Sequence, residues 1–337
     1  MILHQVLSGA GPYDAITREA LAIRELAGGW GWAGGEWGVH IDPRMGRRVR
    51  PLEELRAAPG DTLLIHYSAY APKLRDVLDA PGRKILLNHN VTPARWFWEH
   101  DAAVGLQCAL GRRQMHEFAE RCDVVVGDSL FNAQELGSDR VLPLVLPWID
   151  PGLPLPPEPS GPPIVLFVGR LVPHKRQDEL IRAIALLRRH RLPDARLVLV
   201  GEPLHERYDA ALRALADEVA PGAVSFERGI DDDALAARYR SAHAFLCLSE
   251  HEGFCVPLLE AMAADVPVLA YSAAAVPDTL GGAGVQFFPK DLEYAAEILG
   301  ELTYNQPLRS QVIAGQRRRL ADFSDTRIRK ELERLTS

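Results

Sequence analysis

The 337-residue chain has no apolar run near the ~20 residues that a membrane-spanning helix needs. Its first residues, MILHQVLSGAGPYD, have no basic leader and too short an apolar stretch for a secretion signal. These absences predict a cytoplasmic protein without a transmembrane segment. Cysteine is also scarce, and Cys108, Cys122, Cys247 and Cys255 show no C-x-x-C spacing. We expect buried free thiols there, and neither a disulfide framework nor a zinc cluster.

The chain also lacks a basic domain. Its 38 lysine and arginine residues face 45 aspartate and glutamate residues, which gives a net charge of −7. Both halves of the chain have more acidic than basic residues. Residues 1–150 contain 16 basic and 19 acidic residues, and the remainder contains 22 basic and 26 acidic residues. Nucleic acid is therefore not expected as a partner, while a local basic pocket for a small anion stays open. Apolar residues make up 47% of the chain, which is enough for large folded cores.

No repeat with a period of 20–50 residues is present, which excludes solenoids and propellers. One break stands out, the proline-rich segment PWIDPGLPLPPEPSGPP at 147–163. So much proline cannot continue a helix or a central strand, and it predicts a stiff linker. We predict an N-terminal domain over 1–150, a linker over 151–163, a C-terminal domain over 164–323 and a final helical segment over 324–337.

Both halves alternate short apolar runs with amphipathic stretches. In the second half, the buried runs IVLFV (164–168) and RLVLV (196–200) flank a helical pattern at 178–190. In the first half, strands are predicted near 2–7, 62–66, 83–88, 123–127 and 140–145. This alternation predicts an α/β fold with two doubly wound parallel sheets. Ligands of such sheets bind outside the carboxyl ends of the strands, so chemistry is expected just after each strand.

The turn FVGRLVPHK, residues 167–175, follows a predicted strand and carries two cations. Gly169 ends the strand, and Arg170 and Lys175 come after it. Arginine can fork onto phosphate oxygens and lysine offers a compact charge, so the two suit an anionic ligand. A solvated basic loop is the alternative, since the neighbouring Arg176 is also basic.

A second turn, SEHEGFCVPLLEAMA at 249–263, joins a strand to a helix. Gly253 allows a close backbone approach, and the helix start near Val256 can direct free amides at a phosphate. The carboxylates of Glu252 and Glu260 can accept hydrogen bonds from sugar hydroxyls. Taken singly, Glu260 is equally explained as a first-turn acid favoured by the helix dipole, and Glu252 as an exposed loop acid.

The two turns together, GRLVPHK and about 80 residues later SEHEGFCVPLLEAMAADVPVLAY, resemble the retaining glycosyltransferases of family 4. The second segment is similar to their E-x7-E signature, here Glu252 to Glu260. The resemblance covers most of the C-terminal half and matches the N-terminal half more loosely. It implies the GT-B fold, in which two Rossmann-like domains face each other across a cleft. It also implies that the last helix returns to the N-terminal domain.

Residue by residue, the resemblance implies that Arg170 and Lys175 hold the diphosphate of a sugar nucleotide and that Glu260 binds its ribose. It implies that Glu252 and the backbone of 253–255 contact the donor sugar and the phosphates, although the family usually has glycine at Cys255. The donor-binding residues implied in this way are Gly9, Gly11, Gly169, Arg170, Lys175, Glu252, Gly253, Phe254, Cys255, Val256 and Glu260. The catalytic residues implied are His89, Arg170, Lys175 and Glu252.

In the N-terminal half, the segment KILLNHNVTP at 84–93 places His89 at a strand end. Its position resembles that of the family's active-site histidine, which contacts the donor sugar near the reacting carbon. His66, at the strand end in LLIHYSAY, is the competing candidate. Gly9 and Gly11, in the turn SGAGPYD, resemble glycines that admit the acceptor and the diphosphate, although the family more often has two adjacent glycines.

The acidic run at 231–233 is similar to a D-x-D metal motif. It opens a helical pattern, where aspartate is a good N-cap, so we predict capping in place of metal binding. Lysine, arginine and helix amides can neutralise a diphosphate, so no metal and no other cofactor is expected.

The resemblance implies a retaining glycosyltransferase that moves a sugar from a UDP- or GDP-sugar to a hydroxyl of a glycan, glycolipid or glycoside. The alternatives are a sugar-nucleotide epimerase or a phosphorylase-like enzyme of the same fold, and an inactive nucleotide-binding partner subunit. An epimerase needs a matched pair of acid–base carboxylates, which Glu252 alone does not supply. A peripheral membrane contact through the basic segment 315–323 stays open, with a solvated helix face as the alternative.

Overall fold

The computed structural model describes residues 1–12, 14–144 and 161–336. The chain divides into two compact units, which we call unit 1 (Met1–Trp148 with Phe323–Ser337) and unit 2 (Ile149–Asp322). The proline-rich linker predicted over 151–163 lies outside the described residues, apart from its last three positions.

Unit 1 is built on one sheet of six parallel strands in the order β3-β2-β1-β4-β5-β6. The strands are β1 Leu3–Ala10, β2 Glu36–Ile41, β3 Arg50–Pro51, β4 Thr62–Tyr67, β5 Arg83–Asn88 and β6 Val124–Gly127. The helices between them are α1 Ala15–Gly29, α2 Asp76–Asp79, α3 Ala102–Arg121 and α4 Leu130–Gln134. Alternate residues of β4 enter different cores, since Leu63 and Ile65 pack with Phe118 whereas Leu64 packs with Ile23. All six residues of β4 are buried, and a strand that is buried on both faces explains the unbroken apolar stretch at 63–65.

Unit 2 repeats this plan with a second six-stranded parallel sheet, in the order β12-β11-β10-β7-β8-β9. The strands are β7 Ile164–Val168, β8 Arg196–Val200, β9 Val224–Glu227, β10 Ala244–Cys247, β11 Val268–Tyr271 and β12 Val285–Phe287. The helices are α5 Gln177–His190, α6 Glu206–Val219, α7 Asp232–Ser241, α8 Val256–Ala263, α9 Val276–Leu280, α10 Leu292–Tyr304 and α11 Gln306–Leu320. Both sheets confirm the predicted α/β class with doubly wound parallel strands.

Each sheet reverses its strand order at one point. In unit 1, β1 lies between β2 and β4, and in unit 2, β7 lies between β8 and β10. Doubly wound sheets bind ligands at the carboxyl ends of the strands beside such a reversal. The turns after β7 and β10 therefore form the expected binding edge of unit 2, and those after β1 and β4 form the expected edge of unit 1.

The last helix, α12 Asp325–Thr336, belongs to unit 1 although it follows unit 2 in the chain. Its residues Ile328, Leu332 and Leu335 are almost completely buried, in one core with Leu3 and Ile23. The spacing of four and three residues places these three side chains on one face of the helix. The C-terminal residues thus complete the hydrophobic core of unit 1.

Some elements differ from the sequence-based prediction. No strand forms in the described part of the segment predicted as a strand near 140–145, which ends at Leu144. Val141 makes only an isolated parallel bridge with Gly127. The strands β2, β3 and β12 were not predicted. β3 and β12 are short edge strands with one neighbour, and such strands need few residues and little apolar pattern. β2 has two neighbours, but its sequence EWGVHI interrupts the apolar residues with glycine and histidine. The helix predicted at 178–190 is α5, which begins one residue earlier, at Gln177.

We predict that Leu332→Ala destabilises unit 1 by about 2–5 kcal/mol, because it opens a cavity in a closed core. Thermal unfolding monitored by circular dichroism measures this loss. Lys330→Ala is the matched control, because Lys330 is exposed on the same helix and its replacement should change stability by less than ~0.5 kcal/mol. Equal melting temperatures for Leu332→Ala and the parent protein would contradict the packing of α12.

Candidate active site

A buried ion pair joins the two predicted turns of unit 2. Lys175 ends a single 3-10 turn between β7 and α5, and Glu252 lies on the loop after β10. The Lys175 Nζ donates to both Glu252 carboxylate oxygens, at 2.7 and 2.8 Å. Only 15% of the Lys175 side chain and 7% of the Glu252 side chain are exposed. Burial opposes the charge on Lys175, but the adjacent Glu252 carboxylate outweighs it and raises the pKa of the lysine.

Glu252 is therefore not the exposed loop acid that the alternative interpretation of its sequence position required. Its Oε1 also accepts a hydrogen bond from the Ser249 hydroxyl at 2.7 Å. An ammonium group has three N–H donors, and two of those of Lys175 point at Glu252. Among the described residues the third donor of Lys175 has no partner, so it is left for a ligand, and the carboxylate orients the ammonium group.

Two glycines bring the strand ends close together at this edge. Gly169, directly after β7, has φ +150°, and a Cβ there would lie 3.6 Å from the Lys175 Nζ. Gly201, directly after β8, has φ +152°, and a Cβ there would lie 2.1 Å from the Gly169 carbonyl oxygen. Side chains other than glycine are thus excluded at Gly201 by both backbone angle and space. Our sequence reasoning missed Gly201, although a glycine directly after the buried run RLVLV is the signal of such a close approach.

Arg170 differs from Lys175 in its surroundings. Arg170 is exposed, and its guanidinium makes no hydrogen bond or ion pair with any residue in the described ranges. Its backbone carbonyl accepts a hydrogen bond from the Gln177 side chain at 3.0 Å, which fixes the turn after β7. Of the two cations after β7, Lys175 is paired with Glu252, whereas Arg170 has no ion pair among the described residues.

The helix α8 begins at Val256, where the sequence predicts an anion-binding helix terminus. Cys255 is its N-cap residue, with φ +74°, and makes no side-chain capping bond. The carbonyl of Phe254 accepts a hydrogen bond from Thr279, and the carbonyl of Glu252 accepts one from the Ala275 amide at 3.3 Å. These two hydrogen bonds fix the loop at 252–255 against the first residues of α9. The start of α8 has no capping side chain.

Glu260, one turn into α8, accepts a hydrogen bond from the Tyr239 hydroxyl at 2.7 Å. Tyr239 is buried on α7, and burial followed by the Glu260 charge raises its pKa well above the usual range. The tyrosine thus donates to the carboxylate throughout the physiological pH range. Sequence reasoning missed Tyr239. On the same helix, Asp231 accepts from the Ala234 amide at 2.8 Å, which is the predicted N-cap.

In unit 1, the two competing histidines of the sequence contact each other. His66 lies on β4 and His89 follows β5, and the His66 Nδ1 and His89 Nε2 atoms are 3.0 Å apart. The other nitrogen of His89 lies 3.1 Å from Asp128 Oδ2, just after β6. The Glu19 carboxylate on α1 lies 3.6 Å from the same nitrogen. We call these four buried residues the histidine cluster.

The hydrogen bonds fix which nitrogen of each histidine carries a proton. The Gln5 amide nitrogen donates to Ala20 O at 2.6 Å and to Glu36 Oε1 at 3.1 Å, so its oxygen faces His66 Nε2 at 2.9 Å. That oxygen can only accept, so His66 carries its proton on Nε2 and accepts on Nδ1. His89 must then donate from Nε2. Both of its ring nitrogens are engaged inside unit 1, and a donor-sugar contact through either requires one of these bonds to break.

Glu19 is the unusual member of the histidine cluster. It is 1% exposed, and neither of its carboxylate oxygens has a hydrogen-bond partner among the described residues. Burial raises its pKa to about 8, against the attraction of His89. Glu19 therefore holds a proton at neutral pH. Sequence reasoning missed Glu19 and Asp128, although the aspartate directly after the buried run VVVG was a visible signal.

The remaining predicted residues of unit 1, Gly9 and Gly11, lie at the end of β1 and in the turn that follows it. A Cβ at Gly9 would meet the His40 carbonyl oxygen at 3.6 Å, which is ordinary contact. The Gly11 amide donates to Thr17 Oγ1 at 3.1 Å, and the Thr17 amide donates to Asp14 at 2.9 Å. Gly11 thus belongs to the capped start of α1.

Comparison with known proteins agrees with this architecture. Residues 156–319 match the family model described as "Glycosyl transferases group 1". The match spans most of unit 2, and in that part of the chain the glycosyltransferase resemblance is confirmed. None of the helices in the described ranges is long and apolar enough to cross a membrane.

Relatives of known name match parts of the chain. A GDP-mannose-dependent alpha-mannosyltransferase of Mycolicibacterium smegmatis is 42% identical over 112 residues, 33% of this chain and 26% of that protein. A GDP-mannose-dependent alpha-(1-6)-phosphatidylinositol monomannoside mannosyltransferase of the same organism is 35% identical over 150 residues, 42% of this chain and 38% of that protein. A D-inositol 3-phosphate glycosyltransferase of Frankia alni is 33% identical, over 48% of this chain and 41% of that protein. The matched part of the chain thus spans less than half the length of these relatives.

Solved structures extend the likeness to both units. A glycosyltransferase from Rickettsia africae has a TM-score of 0.73 at 15% identity and covers 99% of this chain and 97% of its own. Anabaena Alr3699/HepE, solved in complex with UDP-glucose, has a TM-score of 0.71 at 16% identity and covers 99% of both chains. At this identity the likeness shows the fold alone, and that fold is GT-B, as the sequence resemblance implied.

The buried Glu19 carboxyl makes the stability of the protein depend on pH. The unfolded carboxyl ionises near its ordinary pKa of 4.5 and the folded one near 8, so between these values only the folded chain holds the proton. Stability contributed by Glu19 therefore falls as pH rises, by at most ~1.4 kcal/mol per pH unit. We predict that the melting temperature of Glu19→Gln, relative to the parent protein, increases steadily from pH 5 to pH 8.

The matched control is Glu25→Gln, because Glu25 is exposed on the same helix. Its difference from the parent protein should not change over this pH range. Parallel melting-temperature profiles for Glu19→Gln and the parent protein would show that the folded Glu19 carboxyl ionises normally.

Proposed function

We propose that this protein is a retaining glycosyltransferase that acts in the cytoplasm and moves a sugar from a nucleoside-diphosphate sugar to an acceptor hydroxyl. The observation that carries the proposal is the edge of unit 2, where Arg170, the oriented Lys175 and the start of α8 adjoin a switch in strand order. One uncompensated cation, one free lysine N–H and a helix terminus without a capping side chain suit a diphosphate. We assign the ribose hydroxyls to the Glu260 carboxylate, which lies one turn into α8.

The proposed chemistry is the departure of the nucleoside diphosphate from the anomeric carbon of the donor sugar. The bond from that carbon to the phosphate oxygen breaks, and Arg170, Lys175 and the α8 amides stabilise the negative charge that develops on the oxygen. The acceptor hydroxyl attacks on the same face of the sugar and passes its proton to the departing phosphate. No protein nucleophile and no metal ion is needed for this step.

Support for the donor class comes from the relatives. Several are named for GDP-mannose, one of them acts on phosphatidylinositol monomannoside by name, and the Anabaena neighbour was solved with UDP-glucose. We propose a GDP- or UDP-sugar as the donor, with GDP-mannose the first to try, and a carbohydrate or lipid-linked acceptor. A peripheral membrane contact through 315–323 is less favoured, because Arg317 in this segment already pairs with Asp265 at 2.8 and 2.9 Å.

Lys175→Met tests the role of the lysine. We predict that it lowers the turnover of donor by 100-fold or more, because each lost hydrogen bond to a charged group costs ~1.5–3 kcal/mol and Glu252 would become an unpaired buried charge. Released nucleoside diphosphate measures turnover. Arg317→Ala is the control, since it breaks an ion pair on the loop before β11, at the opposite edge of the sheet, and should keep turnover within twofold.

The stereochemistry of the product tests the retaining mechanism. We expect the anomeric configuration of the donor to be kept in the product, and transfer to continue in the presence of EDTA. Nuclear magnetic resonance of the product reports the configuration from the anomeric proton. A product with inverted anomeric configuration would overturn the proposal, and so would isomerisation of the donor without transfer. Loss of activity with EDTA would show that the reaction needs a metal ion.

A further inference from the structure

A second set of reactive side chains meets beside the Lys175–Glu252 pair. Cys247 ends β10, Cys255 immediately precedes α8, and Glu252 lies on the loop between them. The two Sγ atoms and a carboxylate oxygen of Glu252 all lie within 4.8 Å of one another, and all three residues are buried. We call this group the thiol cluster. The other two cysteines, Cys108 and Cys122 of unit 1, belong to no such group within the described ranges.

The cluster is linked to the rest of the edge by hydrogen bonds. The Cys247 Sγ donates to the Ser249 Oγ at 3.4 Å, and the Ser249 hydroxyl donates to Glu252 Oε1 at 2.7 Å. A thiol binds a metal ion as its thiolate, so an ion that enters this cluster displaces the thiol protons.

The geometry points to a binding site for a soft divalent cation, with Zn²⁺ the first candidate, held by Cys247 Sγ, Cys255 Sγ and one Glu252 oxygen. Tetrahedral zinc takes sulfur at ~2.3 Å and carboxylate oxygen at ~2.1 Å, so its ligand atoms lie about 3.5–3.8 Å apart. The separations in the thiol cluster reach that range with a small side-chain movement. Three protein ligands leave the fourth position open to water.

Charge balance favours such an ion over magnesium. The ion enters with two positive charges while the two thiols release two protons, and two sulfur–metal bonds replace two sulfur–hydrogen bonds. The net charge of the buried site is therefore unchanged, and Lys175 continues to balance Glu252. Magnesium demands oxygen ligands and cannot displace thiol protons, so its two charges would be added beside a buried lysine.

The backbone at Cys255 gives a second reason to assign a role to this thiol. Its φ of +74° lies in the left-handed region, which only glycine adopts without cost. The strained conformation places the Cys255 sulfur against Cys247, where a glycine would leave no ligand. The absence of C-x-x-C spacing led us to expect no zinc site. Cys247 and Cys255 are separated by seven residues, and the turn from strand β10 through the loop to helix α8 brings their thiols together.

Occupation of the thiol cluster takes an oxygen of Glu252 from the donor site, so on the proposed function the ion inhibits transfer. The binding itself does not depend on that function. Metal binding and nucleotide binding can therefore be measured separately on the same sample, and the failure of one leaves the other standing.

The test is a titration of the reduced, full-length protein with Cd²⁺, followed by its thiolate charge-transfer absorbance, and with Zn²⁺, followed by calorimetry. We expect one ion per chain, release of two protons per ion and an affinity that falls at least 100-fold in Cys255→Gly and in Cys247→Ser. Cys255→Gly is the decisive variant, because glycine suits the positive φ and the protein should keep its melting temperature. The double variant Cys108→Ser, Cys122→Ser is the control and should bind as the parent does.

Three results would overturn the proposal. The first is the absence of saturable binding of one ion in the parent protein. The second is unchanged affinity in a folded Cys255→Gly variant. The third is a loss of affinity confined to the Cys108 and Cys122 control, which would place the ion in unit 1.

Discussion

The buried ion pair between Lys175 and Glu252 is the interaction on which the proposed site depends. It joins residues 77 positions apart and forms because β7 and β10 are neighbours in the sheet. Removal of one partner from such a pair costs roughly 3–5 kcal/mol, because the other is left buried and charged. The fold therefore keeps both residues in place before any ligand arrives. A lysine oriented in advance loses little freedom on binding, which is the usual advantage of a preorganised site.

Both units contain largely buried ion pairs, among them Arg24 with Glu36 in unit 1, and unit 1 adds a chain of hydrogen-bonded histidines. Unit 2 places whole charges in pairs, as Lys175 with Glu252, and as Lys290, whose Nζ lies 2.7 and 2.9 Å from the carboxylates of Glu179 and Glu250. The histidine cluster of unit 1 places shared protons along a chain of hydrogen bonds, in which each tautomer is set by its neighbour. The direction of each hydrogen bond in this chain depends on the next. If one bond were reversed, two acceptors or two donors would face each other at a neighbouring position.

Much of the fold follows from the sequence, because buried parallel strands have continuous apolar runs that local pattern reveals. The strands β7 and β8, the helix α5 and the turns that hold Arg170, Lys175 and Glu252 were predicted in this way, as was the start of α8 before Glu260. What local pattern cannot show is the environment of one polar residue within a helix or loop. Glu19 has the appearance of a solvent-facing acid on α1, and only the packing of β4, β5 and β6 makes it a buried carboxyl. The partnership of Tyr239 with Glu260, and of Cys247 with Cys255, has the same origin in tertiary contacts.

The most direct test of the central claim is calorimetric titration of the purified protein with GDP, UDP and ADP, with and without magnesium. The account predicts micromolar binding of one of these nucleotides, without need of magnesium, that is lost in Lys175→Met and weakened in Glu260→Ala. Absence of binding to all three, or equal binding by Lys175→Met and the parent protein, would contradict the assignment of this edge of unit 2 to a nucleoside diphosphate.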